Sequence, residues 1–267
     1  MSATATIILT HQRPSEVANM LRRWRSYTDL DTVLIAHGGR EVDFEQLAHP
    51  HKVFVRDSRF VTPDHQRDKQ SHGAVLQRTA GWLAPRDFSH VLYAEYDQIP
   101  IAPDLLSLYR RRLEDERADL LGMHLRRVDS TSSPHYLYHA HDPAFTSLWS
   151  ELSVREDKDV VLSMLGAGSF WRRPCFDAVA GAEESVPVYT ELFLPTLAHH
   201  LGFRVRGLPD QSPWNTHLGE RVDELASAAA NGAWTLHPVK TLWNAEPAAG
   251  RRSPWSRVQE RLTRGAA

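Results

Sequence analysis

Compact apolar runs alternate with segments whose apolar residues return every three or four positions, and this alternation fills the first half of the chain. Ala5–Thr10 (ATIILT) is a β-rich run. Pro14 suits a first helical turn, and Val17, Met20, Leu21 and Trp24 then fall at helical spacing. Thr32–Gly39 predicts a second strand that breaks at paired glycines, and Lys52–Asp57 predicts a third. Ser71–Leu83 reads as a helix with Ala74, Val75, Thr79 and Leu83 on one side. His90–Ala94 is the fourth strand. The stretch PDLLSLYRRRLEDE after it is an amphipathic helix, and Ala118–Leu125 another strand. Strands alternating with helices predict an α/β fold with a mostly parallel central sheet flanked by helices.

The second half is less regular. Asp129–Leu148 is rich in Ser, His, Tyr and Pro without sustained periodicity, and predicts a functional loop or loosely structured insertion. Val160–Arg173 returns to a strand pattern and carries glycines. Leu194, Leu197 and Leu201 then line a helix that Gly202 can terminate, and FRVRGLP is a short alternating strand. In Gly250–Ala267, Trp255, Val258 and Leu262 share one side among five arginines. The expected organisation is one Rossmann-like domain in two halves, a ligand-binding half over 1–125 and an acceptor-side half over 126–245. A basic helical tail, 246–267, follows.

Composition narrows the class without naming it. A chain of 267 residues with 42% hydrophobic and 24% charged residues can bury a substantial core. A formal net charge of −2 gives no support for a dedicated nucleic-acid binder. Cys175 is the single cysteine, so no internal disulfide forms and a reducing compartment is the default. The first residues, MSATATIILTHQRP, have no basic stretch and only a three-residue apolar run, and no run approaches membrane-spanning length. The expectation is a soluble, cytoplasmic protein. The arginine-rich tail suits a solvated or docking helix better than a membrane-surface one.

Candidate chemistry gathers at the strand ends. In an open α/β sheet, ligands bind beyond the carboxyl ends of the strands. Those ends read Thr10-His11-Gln12-Arg13, His37-Gly38-Gly39-Arg40, Arg56-Asp57 and Glu95-Tyr96-Asp97. Polar residues also occur there simply because the following loops run over the surface. Glu95 and Asp97 are more pointed. In extended backbone residues i and i+2 face the same way, so both carboxylates can approach one cation. Hard oxygen ligands of this kind suit Mg²⁺ or Mn²⁺. An isolated pair of this kind more often serves a solvated turn; its place directly after a buried strand strengthens the metal reading.

With these residues in hand, the order of elements resembles the GT-A-fold glycosyltransferases, which transfer sugars from nucleotide diphosphates. Glu95-Tyr96-Asp97 sits where that family carries its Asp-x-Asp metal motif, with Glu in place of the first acid. The resemblance implies Mn²⁺ or Mg²⁺ held chiefly by Asp97, with Glu95 and a late histidine, His237 of WTLHPVK. It implies that Thr10, His11, Arg13, His37 and Gly38 lie where the first two strands contact the nucleoside. Gly166 and Gly168 of LGAGSFWRR match the strand lining the donor sugar, where glycine lets backbone approach a ligand. Arg67 and Lys69 of RDKQSHG, with Lys240, are placed towards the diphosphate. Glu191, at a helix start, matches the base that takes the acceptor hydroxyl's proton in inverting members. As a first-turn acid it also suits the helix dipole. The expected partners are a nucleotide-diphosphate sugar and a hydroxyl-bearing acceptor, with no nucleic acid and no transmembrane segment.

Other classes fit less well. His135, His139, His141 and Asp142 have ligand-like spacing for zinc, but not the His-x-His-x-Asp-His pattern of a binuclear hydrolase. The same segment suits an acceptor loop, in which Tyr136, Tyr138 and Trp149 stack on sugar rings. GAGSF is not a Gly-x-Ser-x-Gly elbow. Neither a P-loop nor a Gly-x-Gly-x-x-Gly follows the first strand. A sugar-nucleotide nucleotidyltransferase shares the layout, yet THQRPSE lacks the glycine such a loop needs. A non-catalytic sugar-nucleotide or glycan binder of the same fold stands as the alternative outside the enzymes.

Overall fold

The computed structural model describes residues 3–62, 67, 70, 72–128, 143–182, 189–216 and 219–241. The expected tail 246–267, Lys69 and the His-rich stretch 135–142 lie outside them. Strands β1 (Ala3–Thr10), β2 (Val33–His37), β3 (Lys52–Phe54), β4 (Phe88–Glu95), β6 (Leu120–Arg127), β7 (Leu162–Arg172) and β8 (Val205–Gly207) form one seven-stranded sheet. Its order is β3-β2-β1-β4-β7-β6-β8. A second, two-stranded sheet pairs β5 (Ile99–Pro100) with β9 (Thr235–Leu236). The large sheet is mostly parallel, as expected. Only β7 is reversed, pairing antiparallel with both β4 and β6.

The strands read as near-continuous apolar runs because both faces of the sheet are covered. Side chains alternate across each strand. Ile7, Leu9, Leu34, Ala36, Val91 and Tyr93 pack on one face with helices α3 (His72–Leu83), α6 (Arg173–Gly181) and α7 (Thr190–His200). Ile8, Val33, Ile35, Leu92 and Ala94 pack on the other with α1 (Pro14–Trp24) and α4 (Leu105–Asp115). Truncating one such fully buried side chain, Ile7→Ala for example, costs about 2–5 kcal/mol.

Local chemistry sets the helix ends. Pro14 opens α1, and the Glu16 carboxylate accepts the Arg13 N–H at 3.0 Å. Gly202 (φ 93°) ends α7 as expected, and the Phe203 N–H reaches back to the Ala198 carbonyl at 3.1 Å. Three short helices have no counterpart in the sequence reading: α2 (Glu41–Glu45), α6 and α8 (Leu225–Ala230). The expected loop over 129–148 needs correction at its end, because Pro143–Leu152 is a helix, α5. Pro143 suits its first turn, and Phe145, Leu148, Trp149 and Leu152 recur at helical spacing within an otherwise polar stretch. Trp149 is not available to stack on a sugar. It is buried, its ring lies parallel to that of His200 at 5.5 Å, and its Nε1–H donates to the Lys158 carbonyl. The boundary expected at 125/126 falls inside β6.

Candidate active site

The acids arrive at the end of β4. Its pairing with β1 runs to Leu9 opposite Glu95, and the Tyr96 N–H still donates to the Leu9 carbonyl at 2.9 Å. A turn closed by Gln98 N–H to the Glu95 carbonyl then presents Asp97. The chain enters β5, which pairs antiparallel with β9, Ile99 opposite Leu236. The next residue after β9 is His237, and the Val239 N–H donates to the Asp97 carbonyl at 2.8 Å. Backbone pairing thus brings the imidazole beside the acids.

The three ligand atoms of Glu95, Asp97 and His237 lie within 4.8 Å of one another. His237 Nε2 stands 3.3 Å from Asp97 Oδ1 and 4.0 Å from Glu95 Oε2. In an octahedral shell with bonds of about 2.1 Å, ligand atoms sit ~3 to ~4.2 Å apart, so closure by about an ångström is needed. Asp97 Oδ1 is buried, and His237 Nε2, 3.3 Å away, is the polar atom that faces it. An oxygen in that state is costly unless something positive faces it. On its other side the ring is fixed, with Nδ1–H directed at the Thr216 carbonyl at 2.8 Å. That bond leaves the Nε2 lone pair towards the acids, the arrangement a metal-ligating histidine needs. The residues present therefore fit a divalent cation.

Electrostatics agree. Burial acts to lower the His237 pKa, but the Asp97 and Glu95 carboxylates and the Thr216 carbonyl outweigh it and raise it. The two acids thus favour positive charge at this position. Lys240 Nζ adds a further positive charge 4.0 Å from Asp97 Oδ2, on a side chain that is mostly exposed. Its backbone N–H is held by Glu220 Oε2 at 2.8 Å.

Of the other residues singled out by sequence, His11, Thr10 and Gly38 gather at the ends of β1 and β2. The ring of His11 meets Tyr96 edge-on at 5.0 Å, which links the end of β1 to the acid pair. Thr10 is buried, accepts the Gln12 N–H on Oγ1 and receives the Gly38 N–H on its carbonyl. Gly38 lies under the Phe60 ring, which a Cβ would meet at 2.7 Å. His37 is fully buried: Nε2 contacts the Gln12 carbonyl at 3.1 Å, Nδ1 accepts the Gly39 N–H, and burial holds its pKa low. Arg13 and Arg67 are exposed.

The reversal of β7 matters here. Tyr93 pairs with Ser169, so the residues before Ser169 run on past the carboxyl end of β4. A Cβ on Gly166 would meet the Thr190 methyl group at 3.3 Å, and Glu191, the next residue, is buried in the first turn of α7. At Gly168 (φ 73°) a Cβ would fall 2.2 Å from Gln98 Nε2, so the Gln98 amide occupies the space above this glycine.

Several residues of the site carry no sequence signal. Gln98 Nε2–H donates to Thr235 Oγ1 at 3.1 Å and to Asn215 Oδ1 at 3.4 Å, and the Thr235 hydroxyl donates to Asn215 Oδ1 at 2.9 Å. Gln, Asn and Thr at unrelated positions form no motif, and only the fold joins them.

No protein-family model and no curated protein sequence matches the chain. Solved structures similar to it include core-mannan synthase A from Aspergillus fumigatus in an Mn/GDP form. That pair has 11% identity and a TM-score of 0.44 over 78% of this chain and 73% of that one. CMP:2-keto-3-deoxy-manno-octonic acid synthetase complexed with CTP is 12% identical, with a TM-score of 0.43 over 78% and 90%. A cytidylyltransferase from Leptospira borgpetersenii is 12% identical, with a TM-score of 0.42 over 78% and 76%. They are transferases of the nucleotidyl and glycosyl kinds.

Proposed function

We propose that this chain is a divalent-metal-dependent glycosyltransferase that moves a sugar from a nucleotide-diphosphate donor to a hydroxyl-bearing acceptor with inversion. The observation that carries the reading is the Glu95–Asp97–His237 cluster at the carboxyl end of β4, in which a buried Asp97 oxygen faces His237 Nε2. Mn²⁺ or Mg²⁺ held there supplies positive charge against a leaving nucleoside diphosphate. Lys240 adds charge on the exposed side of Asp97, and Arg67 and Lys69 are assigned to the same diphosphate. Thr10, His11, Arg13, His37 and Gly38 form the nucleoside side of the rim, by direct contact or by holding the loop backbone. Gly166 and Gly168 are assigned to the donor-sugar side, where Gly168 leaves room for the Gln98 amide. Glu191 is the base. As the acceptor oxygen bonds to the anomeric carbon, the bond to the diphosphate oxygen breaks with its electron pair, and the acceptor's proton passes to Glu191.

The test is thermal stabilisation by a panel of nucleoside diphosphates, nucleotide sugars and nucleoside triphosphates, with and without Mn²⁺, on wild type and Asp97→Ala. A ligand at 100 times its Kd adds about 2.7 kcal/mol of stability. Metal-dependent stabilisation by one nucleotide sugar, lost in Asp97→Ala, is expected. A response confined to a triphosphate, with pyrophosphate released on turnover, would assign the chain to the nucleotidyltransferases. No response to any nucleotide would overturn the reading.

A further inference from the structure

Asn215 links the segments that carry Asp97 and His237. It is fully buried, 118 positions after Asp97 in the chain (215 − 97). Its Oδ1 accepts from Gln98, the neighbour of Asp97, and from Thr235, two residues before His237. Its Nδ2 donates to the Gln211 and Thr235 carbonyls at 3.2 and 3.3 Å. Its backbone forms a bridge with His237. The hydrogen bonds on either side of that bridge run from His237 N–H to the Trp214 carbonyl and from Thr216 N–H to the His237 carbonyl, both 3.1 Å. The next carbonyl along, that of Thr216, fixes the His237 ring through Nδ1.

Backbone strain is spent at the same point. His124 is one of two described non-glycine residues with positive φ, at 55°, where β6 is irregular. A side chain there is uncommon and costs of order 1–3 kcal/mol. In that conformation His124 N–H donates to Ser212 Oγ at 3.0 Å, and its Nε2 reaches the Asn215 carbonyl at 2.5 Å. Both bonds grip the 212–215 turn from the β6 side.

We infer that Asn215, steadied by His124, is a positioning residue of the metal site: it sets the register of the His237 segment against the Asp97 turn. The inference rests on the metal reading above. Partners that orient ligands from outside the coordination shell change metal affinity by about 10- to 100-fold.

The experiment measures Mn²⁺ affinity of the full chain by electron paramagnetic resonance, for wild type, Asn215→Ala and His124→Asn, with metal-free circular dichroism as the check of fold. Asparagine tolerates positive φ, so His124→Asn removes the ring's bond to Asn215 without adding strain. The expected result is a Kd raised at least 10-fold in folded Asn215→Ala and 3-fold or more in His124→Asn. A weakened nitrogen hyperfine coupling on the Mn²⁺ signal should accompany it as the imidazole leaves the shell; a residue that merely stabilised the fold would leave that coupling unchanged. If Asn215→Ala does not fold, His124→Asn decides alone. Kd and coupling equal to wild type in the folded variants overturn the inference while the metal reading stands. No Mn²⁺ binding by wild type overturns both.

Discussion

Replacing Gly168 by alanine tests whether the glycine in β7 is there for its neighbour Gln98. Two penalties are legible in the geometry. First, φ is 73°, and an L-residue in left-handed backbone costs roughly 1–2 kcal/mol. Second, the new Cβ would stand 2.2 Å from Gln98 Nε2, far inside van der Waals contact, so the amide must retreat by more than an ångström. That retreat breaks its bonds to Thr235 Oγ1 and Asn215 Oδ1, each contributing about 0.5–1.5 kcal/mol net. The total is roughly 2–5 kcal/mol. At about 2–4 °C per kcal/mol for a chain of this size, the melting temperature should fall by on the order of 10 °C. The matched control is Gly81→Ala in α3, where a Cβ meets nothing within 4 Å. That change should stabilise by up to about 1 kcal/mol through helix propensity. Calorimetry or urea titration of the two variants beside wild type reads both effects. A Gly168→Ala protein melting within a degree of wild type would refute the reasoning.

Glu191→Gln preserves shape in a buried position, so donor binding and melting temperature should hold while transfer falls by about 10²–10⁴-fold; full transfer activity would remove Glu191 as the base. Stability should also fall in acid. Burial holds His37, His49, His90, His199 and His200 below the usual histidine pKa, so the unfolded chain takes up protons that the folded chain refuses. Their contribution is complete above about pH 6.5 and is lost as pH falls below it. His237, with a raised pKa, acts in the opposite sense, one group against five. The urea midpoint should therefore drop between pH 7.5 and 5.5, and an unchanged or higher midpoint would contradict the assignment. Lys240→Met removes a mostly exposed charge beside Asp97, so nucleoside-diphosphate affinity should weaken only about 2- to 5-fold. The difference should shrink at high salt, and salt-independent loss would mean that Lys240 acts by packing instead.

Much of the frame was legible because apolar periodicity is a strong signal where both faces of a sheet are covered. β1, β4 and α7 with its terminating Gly202 follow the sequence reading closely. The acid pair was visible too, since two carboxylates directly after a buried strand are conspicuous. Nothing in periodicity linked them to His237, and that residue came from family resemblance. The connection in the molecule is the pairing of β5 with β9, two strands of two residues each, too short to announce themselves. Gln98, Asn215, Thr235 and His124 were invisible for a different reason. Each is an ordinary polar residue, and its role exists only once distant segments meet. His37 shows the converse, because a polar strand end need not face a ligand: both its ring nitrogens contact local backbone. The helical end of 129–148 was hidden by the histidines and serines that precede it.

The β5–β9 pairing also orders events in time. Gln98 and Thr235, joined by a hydrogen bond, are 137 positions apart. During synthesis at about 5–20 residues per second, the acids leave the ribosome several seconds or more before the segment that brings His237. The β1–β4 core can form first, with its two carboxylates still lacking their third companion. Contacts of such long sequence separation also form late in refolding, because loop closure must be met before they reward it. The complete cluster is therefore a marker of finished folding: a chain halted between α7 and β9 would hold most of its sheet and lack the third member of the cluster.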